Sequence, residues 1–532
     1  MKSVLLKNAR IYTMNIDQPF SSEMRIDGNK IAAVGQLLDS SGCEAIDLKG
    51  KTVLPGLIDA HCHIFENIQL SGGILLDAMM TKQDVDDTIR AFIAAHPDQK
   101  NYFGIGYPEW IYEPGEVTRQ HLDALCPDKP LFLRSNGGHE SWCNTKAFEA
   151  LGITKDTPDP EGGVFDREAD GMPNGHLNEM ALAQLFTDGI EWFDLSQLSQ
   201  NADKVLGRYA AAGVTGVIDC GCFEKTRETL MDMLHRRAEA QTLTQWISNC
   251  CVTESACDFP ELLPQLQRES QKYCHPLFFN HTLKVVNDGT VETGTAALSA
   301  EMTGSDPIGE VYVDLEPLSK ACIAAAKMDM DIHLHGIGDE AVHTNLMAAK
   351  AVREAGYSET RITNAHSQFV RPDDVPFFNR YNVLANTSTI WHYRNVELEH
   401  QMPILSDRQF RMQSILKTGG RMTLGSDAPF DETGYAPLLG VEMGVTRCLP
   451  NHPDLVMAPE SERLSVWQCL EGYTLNAARS AHVDADTGSL EPGKRADLTI
   501  LEADPFEVPS EQIHTIPILY TVMNGRITYQ QN

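Results

Sequence analysis

Eight short apolar runs separated by helical patterns constrain this chain more than any other feature. They are Val53–Ile58, Val214–Cys220, Trp246–Val252, Thr282–Val286, Asp331–His335, Arg361–His366, Asn382–Thr387 and Arg421–Gly425. Such runs suit strands buried on both faces, as in a parallel sheet covered by helices. Stretches such as Pro317–Ala326, Ala341–Ala355 and Arg408–Lys417 supply helical patterns between several of them. Eight units predict an α/β fold of the (β/α)8 TIM-barrel type, with an open doubly wound sheet as the alternative that counting alone leaves open.

The spacing is uneven in one place. The stretch between Ile58 and Val214 is far too long for a loop, since loops beyond about 12–15 residues without structure of their own are uncommon. Residues 72–200 are therefore expected to form an inserted α/β subdomain, placed to act as a lid that sets substrate specificity. Both chain ends read as short strands: Val4–Met14, Met24–Ile26 and Lys30–Val34 around the turn Asp27-Gly28-Asn29, then Arg495–Leu501 and Ile518–Tyr529 with a turn at Asn524-Gly525. The division expected is a β-sandwich from residues 1–55 and 464–532, a barrel from 56–71 and 201–463, and the insertion.

Among its 532 residues the chain has 43 Lys and Arg against 74 Asp and Glu, a formal charge of −31. Nucleic acid and anionic membranes are recognised by clustered cations, and no Lys/Arg run occurs here, so neither is an expected partner. The apolar run after Met1 is too short for a signal-peptide core, which points to the cytoplasm. Thirteen scattered cysteines fit reduced, mostly buried thiols better than a disulfide framework. A small-molecule substrate is the partner expected, and symmetry statistics make a homodimer the starting assumption.

The sharpest chemistry closes the first barrel strand, Leu54-Pro-Gly-Leu-Ile-Asp-Ala-His61-Cys62-His63. Residues two apart on a strand share a face, so His61 and His63 present two imidazoles at the carboxyl end, where barrel active sites lie. Taken alone the pair could equally be two surface histidines. Other strand ends carry the same chemistry: Ile332-His333-Leu334-His335, Asn364-Ala365-His366 and Gly425-Ser426-Asp427. Four strand ends would bring His61, His63, His335, His366 and Asp427 together, residue types that bind divalent metals. His333 shares the face of His335 but lies deeper, a packing or supporting position. Lys284, inside the fourth run, is either paired with an acid, turned to a helix, or converted by carbon dioxide into a carbamate that bridges two metals.

These segments, with Arg134, Gly138-His-Glu-Ser-Trp-Cys-Asn-Thr-Lys-Ala147, Lys284-Val-Val-Asn-Asp288-Gly289, His335-Gly-Ile-Gly-Asp339, Gly425-Ser-Asp-Ala-Pro429, Tyr473-Thr-Leu-Asn-Ala477 and Gly488-Ser-Leu-Glu-Pro-Gly-Lys-Arg-Ala-Asp497, resemble the amidohydrolase superfamily. The resemblance is to its amidohydrolase-3 or YtcJ-like branch, which includes N-substituted formamide deformylases, and runs over nearly the whole chain. It implies a barrel flanked by a β-sandwich from both termini. It also implies His61, His63 and Asp427 on one metal, His335 and His366 on a second, and carbamylated Lys284 as the bridge. The metals would be two divalent ions, zinc first, with manganese or iron as alternatives. The seventh strand is followed by Thr387-Ser-Thr-Ile-Trp-His392 where relatives often carry Gln-Pro, so substrate preference is not carried over. His139, Trp142, Trp391 and His392 are the candidate substrate contacts.

The reaction expected is hydrolysis of a non-peptide C–N bond, as in an N-formyl or N-acyl amine, by metal-activated hydroxide with Asp427 as general acid and base. Within the fold, a mononuclear deaminase and a cyclic amide or ester hydrolase are the rivals. Deaminases typically carry Glu three residues after the fifth-strand His, where this chain has Gly338 with Asp339 and Glu340 just beyond. A non-catalytic barrel scaffold is the rival from another class, and would be expected to have lost ligands.

Overall fold

A computed structural model describes residues 3–531 apart from 77–79, 109–110, 114, 136–139, 161–162, 180, 182–184, 186–191, 193–194, 222–226 and 429–434. The barrel strands are Leu57–Cys62, Val214–Asp219, Trp246–Thr253, Phe278–Val285, Asp331–Gly336, Ile362–His366, Val383–Thr387 and Arg421–Leu424. They pair in parallel and in chain order from the first to the eighth. The sheet is nearly closed. Its seam, between the first and eighth strands, is joined at the carboxyl end, where Asp427 N donates to His61 O and His63 N to Ala428 O, each at 2.8 Å. Gly425 permits this approach, because a Cβ there would stand 2.5 Å from His61 N.

Alternation along each strand divides its side chains between the helical shell and the interior. Ile58, Ala60 and Cys62 pack with Val205 and Leu206 of the helix Leu198–Ala211, which leaves Asp59 and His61 facing inward. Leu283 and Val285, and likewise Ile332 and Leu334, join the shell, so Lys284, His333 and His335 turn to the interior. The helix Leu315–Lys327 meets this shell with Leu318, Ala321, Cys322 and Ala325, spaced at the helical period.

The first apolar run proves to be two strands. Thr52–Pro55 belongs to a six-stranded sheet with Arg10–Tyr12, Phe20–Ser21, Leu498–Leu501, Ile518–Met523 and Arg526–Gln530, and the barrel begins at Leu57. A four-stranded sheet of Ser3–Lys7, Glu23–Asp27, Lys30–Gly35 and Cys43–Asp47 packs against it through Leu6, Met24, Ile31, Val53, Leu498 and Ile500. The stretch Val4–Met14 is broken at Asn8, whose φ of 53° turns the chain from one sheet to the other. The helices Val466–Gly472 and Leu475–Ser480 lie on the first and eighth barrel strands, and by Leu490, whose N donates to Thr13 O at 2.8 Å, the chain packs within the sandwich.

The inserted segment has its own six-stranded sheet, built from Ile74–Leu75, Tyr102–Tyr107, Leu131–Ser135, Glu140–Cys143, Gly163–Arg167 and Pro173–Glu179, with its own apolar clusters. Arg134 on this sheet pairs with Glu66 on Ile64–Leu70, the helix that follows His63. The described cysteines are all free. No helix among the described residues is long and apolar enough to cross a membrane.

Candidate metal centre

The inward residues at the carboxyl ends form one cluster. Ligand atoms of His61, His366 and Asp427 lie within 4.8 Å of one another. Asp427 Oδ1 is 3.3 Å from both His61 Nε2 and His63 Nε2. The His366 ring stands 4.7 Å from His61 and 4.5 Å from His335, centre to centre. Strand register explains the last pair, since Gly336 lies directly beside His366.

Three imidazoles are held by their Nδ1 atoms, which turns Nε2 toward the cluster. His63 Nδ1 donates to Gly221 O at 2.9 Å, and His335 Nδ1 to Asp288 Oδ1 at 2.8 Å. His61 Nδ1 meets His333 Nε2 at 3.0 Å, so His333 takes the supporting position its depth suggested, with Cys220 Sγ 3.7 Å from the same nitrogen. Fixing one ring nitrogen through a protein partner is how metal-ligating histidines are oriented.

Two buried carboxylates that sequence reasoning did not assign hold this arrangement. Asp288 accepts from His335 and Ile337 N on one oxygen, and from Gly338 N at 2.7 Å and Ala297 N at 3.1 Å on the other. Asp59 crosses the seam, accepting from Ser426 N at 2.9 Å, Ser426 Oγ at 2.5 Å and His61 N at 3.2 Å. Burial outweighs these bonds and pushes the Asp59 carboxyl up to about 7. The inward parity of Asp59 and the Asp288-Gly289 segment were visible in the sequence, but their partners were not.

Burial and mutual charge perturb the groups of the cluster strongly. Burial, then the neighbouring His335 imidazole, drives His366 well below its ordinary range, and burial with Lys284 does the same to His333. Burial would raise the Asp427 carboxyl, but His61 and His63 hold it well below the usual carboxylate range. Burial depresses His63, and the hydrogen bond and charge of Asp427 more than reverse this, to about 10. Lys284 Nζ and His366 Nδ1 are buried and make no hydrogen bond among the described residues. His366 and Asp427 sit at φ of 65° and 58°, strained backbone of the kind that collects at functional sites. A cluster of imidazoles, a carboxylate and an unpaired buried lysine fits divalent ions.

The candidate substrate contacts separate. The Trp391 ring stacks on His366 at 5.4 Å and 16°, at the edge of the cluster. His392 is wholly buried, against Phe410 at 4.3 Å and Thr387 Oγ1 at 3.1 Å, and burial holds it neutral. Trp142 is wholly buried inside the insertion, with Nε1 donating to Thr118 O and its ring against Tyr107, Tyr112 and His121, which is a packing position. His139 lies outside the described residues.

A parallel eight-stranded barrel with this cluster at its carboxyl end defines a metal-dependent hydrolase. Residues 44–529 match the amidohydrolase family, and the chain belongs to it, as a hydrolase acting on carbon–nitrogen bonds. It is 24% identical to an N-substituted formamide deformylase of Arthrobacter pascens over 100% of this chain and 99% of the relative. It is likewise 24% identical to the putative amidohydrolase YtcJ of Bacillus subtilis, over 98% of each. An uncharacterized metal-dependent hydrolase from Pyrococcus horikoshii shares the fold, with a TM-score of 0.75 and 21% identity over 96% of this chain and 99% of that one.

Proposed function

We propose that this protein hydrolyses a non-peptide amide of the N-formyl or N-acyl amine class, with Asp427 moving the proton. The observation that carries the reading is Asp427 Oδ1, equidistant at 3.3 Å from two Nε2 atoms whose rings are fixed from behind. His61, His63 and Asp427 would hold one divalent ion, and His335 and His366 a second, zinc first with manganese or iron as alternatives. Such ions, when bound, supply an activated water and a polarised carbonyl. Lys284, 2% exposed and without an acceptor among the described residues, would add carbon dioxide through a new N–C bond, release a proton and present a carbamate to both.

Asp427 starts ionised, as its neighbours dictate. It takes the proton of the attacking water and returns it to the amine nitrogen, without which that nitrogen is a poor leaving group. The ring of Trp391 walls the side of His366 and limits the acyl group that fits. The name of the Arthrobacter relative supports formamides as the first substrates to test. A deaminase acid at the end of the fifth strand is disfavoured, because Asp339 is bound to Ser299 and Arg371, and Glu340 also pairs with Arg371. The complete donor set disfavours a scaffold.

The test is a panel of N-formyl and N-acyl amines with metal-replete wild type and Asp427→Asn. The expected result is turnover by the wild type alone, with equal metal content in both. No turnover of any amide, or near-wild-type rates in the variant, refutes the proposal.

A further inference from the structure

A second cluster of metal-ligating side chains lies at the opposite end of the barrel. His281 Nε2 is 3.0 Å from Asp331 Oδ2, and His482 Nδ1 is 3.4 Å from the same oxygen, with all three ligand atoms within 4.8 Å of one another. Asp331 opens the fifth strand and His335 lies four residues along it, so at about 3.3 Å per residue the two clusters are roughly 13 Å apart. We infer that His281, Asp331 and His482 form a separate site for a transition-metal cation, zinc above all, that pins the segment after the barrel to the barrel floor.

Two backbone irregularities aim the imidazoles. On the fourth strand Asn280 pairs with Asn249 and Thr282 with Cys250, so His281 is the extra residue of a bulge, a device that redirects a side chain. Thr282 pairs with Asp331 on the other side, which sets His281 next to that carboxylate. His482 ends the turn after the helix Leu475–Ser480 at φ 58°, where Gly or Asn is the usual choice. The third ligand is oriented too, since Asp331 Oδ1 accepts from Arg361 N at 2.8 Å while Oδ2 faces both rings.

Geometry and chemistry favour a tetrahedral ion. Bonds of about 2.0–2.2 Å to nitrogen and oxygen give tetrahedron edges near 3.3–3.6 Å, close to the two spacings of 3.0 and 3.4 Å that converge on Asp331 Oδ2. Two imidazoles with one carboxylate suit zinc and neighbouring metals rather than magnesium or calcium. The side chains of His281 and His482 are 22% and 37% exposed, which leaves a fourth position open to water. Of the cations nearby, Arg361 faces Asp484 at 3.6 Å, which offsets its repulsion.

The experiment uses untagged protein dialysed against buffered zinc, with His281→Gln/His482→Asn as the variant, Asn being suited to the backbone at 482. Wild type is expected to hold one zinc equivalent more than the variant, and its zinc-dependent rise in melting temperature should be reduced in the variant. Equal equivalents and equal thermal responses overturn the inference, leaving a hydrogen-bonded His–Asp–His cluster. Anomalous scattering at the zinc edge from a soaked wild-type crystal gives an independent reading: a peak bonded to His281 Nε2, Asp331 Oδ2 and His482 Nδ1 is expected, and its absence overturns the site.

Discussion

Asp288→Asn separates the orienting role of the buried carboxylate from its structural one. Asp288 is 0% exposed, and each oxygen serves two donors: His335 Nδ1 and Ile337 N on one, Gly338 N and Ala297 N on the other. An amide nitrogen in place of either oxygen faces two N–H groups and accepts from neither. Whichever way the amide turns, two buried donors are orphaned, at about 1–3 kcal/mol each, or about 2–6 kcal/mol together. If the nitrogen faces His335, the ring also loses its anchor, and losing such a partner costs roughly 10–100-fold in metal affinity. If it faces Gly338 and Ala297, His335 keeps a neutral acceptor and the affinity falls by less. Chelator competition measures affinity, and a thermal scan of the metal-free protein measures the structural part. A lower melting temperature is expected in every case, with weakened metal binding in the first orientation. A variant that melts with the wild type and binds metal equally well refutes it.

Asp427→Asn should keep its metal and lose about 10²–10⁴ of kcat, as expected for a lost proton-transfer group; elemental analysis beside the amide panel checks both halves. Trp391→Ala should leave metal content unchanged and shift KM and acyl selectivity across the panel, and an unchanged profile would remove Trp391 from the pocket wall. The Asp59 carboxyl, at about 7, lies above the unfolded value near 3.9. Folded protein therefore keeps a proton that the unfolded chain has released, and the contribution of this group falls as pH rises from about 4 to 7. Metal-stripped Asp59→Asn should show a shallower loss of melting temperature over that window than wild type, and an equal slope would sink the assignment.

What the sequence made legible depends on local period. Parity along a single strand is enough to put His61 beside His63 and His333 beside His335 on a shared face, whereas the inward direction of Lys284 follows only once Leu283 and Val285 are seen in the shell. The division at Gly56 was hidden because the apolar run continues through it, although Thr52–Pro55 pairs with the sandwich and Leu57–Cys62 with the barrel. Trp142 is an aromatic close in sequence to His139, yet its one polar atom is satisfied within the insertion and its ring is enclosed there.

The partners of Asp59 and Asp288 were out of reach for a different reason. Asp59 meets Ser426 only when the first and eighth strands close the barrel, and Asp288 meets His335 only across adjacent strand ends. No periodicity encodes a contact between residues 367 positions apart. Closure at the seam creates it, while strand register sets Gly336 beside His366 and Thr282 beside Asp331. The two ends of the barrel therefore follow one rule. Alternation decides which side chains face a given region, and closure decides which of them meet. The residues most informative about chemistry are accordingly those, such as Asp288 and Asp331, whose burial as carboxylates is tolerable only because closure brings them their donors.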